Sequence, residues 1–141
     1  MIKVQSIPVS EVMSRDLLII RKDEMLGRVN EIFRAYNIHH LPVVDAHGQL
    51  CGIISKADQL RANHLIGLYN QAFHEEVTAQ DIMTRQVATI GPDEPLQKAA
   101  DVFLSNIFHA LPVVDRGQLI GIITTHDLLR FSYSEELLLD D

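Results

Sequence analysis

The sequence predicts an α+β fold made of two β-α-β-β-α repeats packed sheet to sheet with pseudo-twofold symmetry. The first observation behind this is internal repetition. Residues 10–61 align with 80–130 with one gap near Ala46, and 22 aligned positions are identical, among them Met13 with Met83, Phe33 with Phe103, and LPVVD at 41–45 with LPVVD at 111–115. Identities in that order mark a tandem duplication. The second observation is that each copy alternates short apolar runs with helical periodicity. The third is size: one copy of roughly 55 residues is only marginally stable alone, and two copies packed together cover the sheet face that each would otherwise expose.

Each copy begins with a short helical turn, for which Ser10 and Thr78 are the predicted caps. LLII (17–20) and VATI (87–90) then read as short strands. Leu26, Val29, Ile32, Phe33 and Tyr36, echoed by Leu96, Ala99, Val102, Phe103 and Ile107, recur at the spacing of an amphipathic helix. LPVV is a second strand with proline confined to its start. Asp45-Ala-His-Gly and Asp115-Arg-Gly supply turn chemistry, and LCGII or LIGII closes a hairpin before a second helix. The predicted boundaries are 7–61 for the first repeat, 62–76 for a helix continuation and linker, 77–131 for the second repeat and 132–141 for an acidic tail.

Composition narrows the function classes. At 141 residues and 47% apolar content the chain is long enough to bury a core. No stretch free of Lys, Arg, Asp and Glu exceeds the length of Val102–Val114, short of the roughly 18 residues of a membrane span. The start, MIKVQSIPVSEVM, lacks the apolar run of a signal peptide, so a cytoplasmic location without membrane contact is expected. The net charge of −7 opposes a surface that tracks nucleic-acid phosphates, so no nucleic-acid partner is expected. Cys51 has no cysteine partner and lies in an apolar run, which predicts a buried, inert thiol.

GIISKAD at 52–58 returns as GIITTHD at 121–127. Ser55 with Asp58, and Thr124 with Asp127, have the spacing of a capping box, in which a hydroxyl accepts a backbone N–H while an acid three residues on reaches back. The same hydroxyl and carboxylate also suit a ligand. A carboxylate only accepts hydrogen bonds, so it fits a vicinal diol, whereas the free N–H groups and dipole of a helix start suit a phosphate. Spacing alone leaves both roles open. Histidines are numerous, but no HExxH or C-x-x-C spacing predicts a metal site. A Ser55, His39 and Asp58 trio lacks any elbow or oxyanion signature, so no catalytic residues and no enzyme activity are expected.

The ordered set of Met-Ser/Thr, strand, helix, LPVVD and GQL-x-GII-[ST]-x-x-D resembles the cystathionine β-synthase (CBS) domain family, and the whole chain resembles a stand-alone CBS pair over about residues 7–131. The resemblance implies a regulatory module without a required cofactor, binding an adenosine-containing ligand in clefts between the copies, with AMP, ADP or ATP foremost, and often a homodimer. It assigns the ribose hydroxyls to Asp58 and Asp127, and the phosphate to Ser55, Thr124, His39, His40 and His109, where members that sense cellular energy carry His or Arg. It places the first strands, Ile19 and Ile20 or Thr89 and Ile90, on the adenine side. Thr89 and Pro92 of the second copy stand where the first has Ile19 and Lys22, so equal occupancy of the two clefts is not implied. Histidine-held phosphate would make affinity fall as pH rises through the imidazole range. With no enzyme or transporter domain in these residues, the regulated partner would act in trans. The alternative is a ligand-free dimerisation or protein-interaction module, suggested by Leu60, Leu65, Ile66, Leu68 and Tyr69 spreading over more than one helix face.

Overall fold

A computed structural model describes residues 7–69 and 76–139; positions 70–75 of the expected linker and Asp140–Asp141 of the acidic end lie outside the described residues. The fold is α+β, with one three-stranded and one two-stranded sheet. Its elements are a 3-10 turn at Val9–Glu11, then β1 (Ile20–Arg21), α1 (Leu26–Ala35), β2 (His40–Val44), β3 (Leu50–Ser55), α2 (Lys56–Tyr69), α3 (Ala79–Ile82), α4 (Leu96–Leu104), β4 (Ala110–Asp115), β5 (Gln118–Thr124) and α5 (Thr125–Leu139).

The chain divides into two compact units cut differently from the repeats. The first unit is Leu18–Val87 and the second is Met1–Leu17 with Ala88–Asp141. The opening segment of each repeat therefore packs into the unit built mainly from the other repeat. In the first unit, Ala79 is fully buried among Leu26, Val29, Leu41, Val43 and Ile54. In the second, Val9 and Met13 join Leu96, Ala99, Leu111, Val113 and Ile123. The backbone bonds repeat with the same symmetry. Leu26 N–H donates to Val77 O at 2.8 Å and Leu96 N–H to Ile7 O at 2.7 Å. These carbonyls satisfy the starts of α1 and α4, whose N-cap residues Met25 and Pro95 make no side-chain cap.

The segments also add a short rung to each hairpin. Ile53 and Thr84 exchange two backbone bonds of 3.0 and 2.9 Å, and Ile122 and Ser14 exchange two of 3.0 and 2.8 Å. Glycine permits this approach. A Cβ on Gly52 would stand 2.6 Å from Met83 Sδ and 2.7 Å from Thr84 O, and one on Gly121 would stand 2.5 Å from Met13 Sδ. Between α1 and α2, the amides of Asn30, Gln59 and Asn63 bond one another at 2.7–2.8 Å.

Several elements depart from the sequence expectation. The first strands are shorter than LLII and VATI suggest: β1 pairs with β2 in parallel at Ile20–Arg21, and the second copy keeps only a bridge from Ile90 to Val113. Lys22 N–H extends the first ladder by donating to Val44 O at 2.9 Å, whereas Pro92, its equivalent, has no N–H to give. Helical spacing also overreached. Tyr36 and Ile107 lie beyond the ends of α1 and α4 and are 53% and 73% exposed. Behind α4 the chain turns at Asn106, with φ 65°, a left-handed value that asparagine tolerates. Thr78 caps α3 in a box with Asp81, but Ser10 lies inside its turn, which Pro8 begins. Cys51 is half-buried rather than enclosed, its Sγ 3.7 Å from Gln49 O.

The single alignment gap falls in the hairpin turns. Arg116 and Gly117, both at positive φ, form a two-residue loop between Asp115 and Gln118, as expected of a type I′ turn. The longer first loop uses Gly48 at φ 80°, and Asp45 Oδ1 accepts N–H groups from His47 at 2.8 Å and Gln49 at 3.0 Å. Those donors, Gln49 foremost, hold the Asp45 carboxyl below its ordinary range. A depressed carboxyl stabilises the fold above its unfolded value and loses that contribution as pH falls through the folded one. Thermal unfolding of Asp45→Asn should accordingly show a smaller loss of Tm than the wild type on acidification from about pH 5 to 3, a window set by the ordinary Asp value near 3.9.

Candidate functional site

Each antiparallel hairpin runs straight into a helix, and the residues that the sequence assigns to ribose and phosphate gather at that junction. His40 pairs with Ser55 across β2 and β3, and Ala110 with Thr124 across β4 and β5. The carbonyls of His39 and His109 accept the N–H groups of Lys56 at 2.9 Å and Thr125 at 3.1 Å, the first residues of α2 and α5. The first unit thus brings His39, His40, Ser55 and Asp58 together, and the second brings His109, Thr124 and Asp127 together. The rings of His39 and His109 belong to exposed residues, while His40 is half-buried and has an interaction of its own.

Both capping boxes form. Asp58 N–H donates to Ser55 Oγ at 3.0 Å while Ser55 N–H donates to Asp58 Oδ2 at 3.0 Å. Asp127 N–H donates to Thr124 Oγ1 at 3.2 Å while Thr124 N–H donates to Asp127 Oδ2 at 3.0 Å. Asp127 is only 7% exposed, yet every polar atom it buries has a partner.

Each box aspartate also has a partner that sequence spacing did not reveal. Ser14 Oγ donates to Asp127 Oδ1 at 3.3 Å, and Thr84 Oγ1 donates to Asp58 Oδ2 at 3.2 Å. These hydroxyls arrive on the crossing segments, from the equivalent dipeptides Met13-Ser14 and Met83-Thr84. Asp58 alone has a cation as well: Arg61 Nη1 lies 3.2 Å from Oδ1, with the arginine side chain 67% exposed. The matching Arg130 makes no ion pair among the described residues.

The adenine-side residues separate into two pairs. Ile20 and Ile90 are core residues, and Ile90 spends both backbone groups on Pro112 and Val114. Ile19 and Thr89 are exposed. Among the described residues, no three His, Cys, Asp or Glu side chains converge as a metal ion would require, and no helix is long and apolar enough to cross a membrane.

The CBS domain family matches residues 9–63 and 79–134. The chain belongs to the CBS domain family. The solved CBS domain pair of protein MJ0100, in complex with 5′-methylthioadenosine and S-adenosyl-L-methionine, superposes with a TM-score of 0.76 at 30% identity, covering 92% of this chain and 98% of that one. CBSX2 in complex with AMP gives a TM-score of 0.77 at 27% identity over 92% and 98% of the two chains; CBSX2 is an Arabidopsis thaliana CBS-pair protein. Uncharacterized protein MJ1225 of Methanocaldococcus jannaschii is 31% identical over 128 residues, which make up 91% of this chain and 44% of that protein. The chain spans less than half the length of the curated relatives that it first matches. A tandem CBS pair is therefore the frame in which the two boxes operate.

Proposed function

We propose that this CBS pair is a regulatory module that binds an adenosine-containing ligand, with the ribose diol on Asp58 or Asp127 and the phosphate at the adjoining helix start. The carrying observation is that both units present a carboxylate at a helix N-terminus, directly beside a hydroxyl, with a histidine (His39 or His109) whose carbonyl accepts the N–H of the first helical residue. Ser55 with His39 and His40, or Thr124 with His109, form the phosphate side, and Ile19 and Thr89 are the exposed side chains available to the base. AMP, ADP and ATP fit a site holding histidine next to the positive dipole end of a helix, which makes energy sensing the regulatory role. Binding is then read by a protein partner in trans, without turnover, in the cytoplasm.

Thermal unfolding against AMP, ADP, ATP, S-adenosylmethionine and NAD tests this. A ligand at 100 times its Kd adds about 2.7 kcal/mol, a Tm rise on the order of 10 °C for units of this size. A selective rise with one member names the ligand.

A second reading, a ligand-free dimerisation module, has its own observation. Leu104, Ile107, Leu129 and Tyr133 of the second unit are 65–80% exposed. The first unit likewise exposes Ile19, Met25, Tyr36, Leu60 and Leu65, so both units present large apolar side chains at their surfaces. Such a surface suits a second copy of the chain. No thermal shift from any ligand, together with a dimer by light scattering, would favour this reading.

A further inference from the structure

The two box carboxylates differ in what a diol must displace. A carboxylate has about four acceptor positions, and a vicinal diol donates two hydrogen bonds. At Asp127 three positions are taken: Oδ2 accepts from Thr124 N–H and Thr124 Oγ1, and Oδ1 accepts from Ser14 Oγ. The Oδ2 side is closed to a ligand, because Thr124 Oγ1 stays there to accept Asp127 N–H even if its own hydrogen turns away. One free position remains on Oδ1, so the second ribose hydroxyl needs the place that Ser14 holds.

At Asp58 the count is the same but the displaced group is not. Oδ2 accepts from Ser55 N–H and Thr84 Oγ1, while Oδ1 accepts from Arg61. The exposed arginine gives up a surface pair worth little and leaves Oδ1 open for both ribose hydroxyls. Thr84 keeps its bond.

We infer that ribose binding at Asp127 displaces the Ser14 hydroxyl and so couples that site to the seating of the segment Ile7–Ser14, whereas binding at Asp58 displaces only Arg61 and carries no such coupling. This rests on the ribose assignment proposed above. Ser14 is half-buried, and its segment is bonded to the second unit by Ile122, Glu94 and Pro92. Removing one of its side-chain anchors therefore loosens a defined piece of chain. Linkage runs both ways: whatever unseats the segment must strengthen ribose binding at Asp127. The duplication thus yields one site that reports its occupancy through a chain segment and one that does not.

Calorimetric titration with AMP tests this on the full chain in an Asp58→Ala background, where Asp127 is the remaining box carboxylate. Ser14→Ala should tighten AMP binding about fivefold, the effect of removing a long competing bond to a charged acceptor. Ser14→Thr, which restores the hydroxyl present at Thr84, should return the affinity to its starting value and controls for folding. Hydrogen exchange at the Ser14 amide should speed up on adding AMP when residue 14 is Ser and stay unchanged when it is Ala. Unchanged or weaker AMP binding by Ser14→Ala, with the parent still binding, overturns the coupling and leaves the ribose assignment standing. No AMP binding by the parent overturns the coupling; the ribose assignment itself falls only if the whole ligand panel also fails with the wild type.

Discussion

Gly52→Ala is expected to cost about 3 kcal/mol, more than any other single methyl added to the hairpins. Overpacking of this kind costs about 1–3 kcal/mol, and breaking the adjoining backbone bonds adds about 1 kcal/mol each. The penalty is steric, because Gly52 is not among the residues at positive φ. Its new Cβ would meet Thr84 O at 2.7 Å, and that oxygen is fixed by the N–H of Ile53 at 3.0 Å. Met83 Sδ, at 2.6 Å, can swing away, but the backbone oxygen can move only by opening the rung. Gly121→Ala provides the comparison. There the nearest atom is also a methionine sulfur, but the backbone oxygen of Ser14 stands at 3.0 Å and needs to yield only slightly. Its cost should be nearer 1 kcal/mol. Urea unfolding of the two variants measures the difference, and a Gly52→Ala protein no less stable than Gly121→Ala would contradict the docking of Met83-Thr84 on β3.

That docking separates what local sequence can reveal from what it cannot. The LPVVD strands, the hairpin turns and both capping boxes depend on residues a few positions apart, and all are legible from spacing and turn chemistry. The shortened first strand of the second repeat is also written locally, since Pro92 lacks the N–H that Lys22 uses, but its meaning emerges only when the ladder partner Val44 is known. Tyr36 and Ile107 misled because periodicity carries no stop signal of its own. The Ser14–Asp127 bond joins residues 113 positions apart, and the repeat exchange that creates it leaves no trace in either repeat's own pattern. Met-Ser and Met-Thr at equivalent positions were its one sign in the sequence. For the same reason Arg61, three residues from Asp58 and identical to Arg130, gave no hint that only one of the pair would hold its aspartate.

Asp127→Ala should lower stability by about 2 kcal/mol and remove the ligand response of the second unit. The cap alone is worth about 0.5–2 kcal/mol, and the substitution also strands Thr124 N–H and the Ser14 hydroxyl around a nearly buried position. Asp58→Ala should cost less, because Thr84 is exposed and water can replace the lost partner. Stability alone does not separate a cap from a ribose ligand, so the informative variant is Asp127→Asn. Its amide oxygen can still accept Thr124 N–H, but the amide nitrogen now occupies the Oδ1 position, where it donates and cannot accept from a diol. Thermal unfolding with and without AMP should show Asp127→Asn close to wild type without ligand and unresponsive at the second unit with it. A variant that keeps the full AMP shift would reduce Asp127 to a helix cap, whereas one that keeps stability and loses the shift would mean that one carboxylate both starts α5 and holds the ligand.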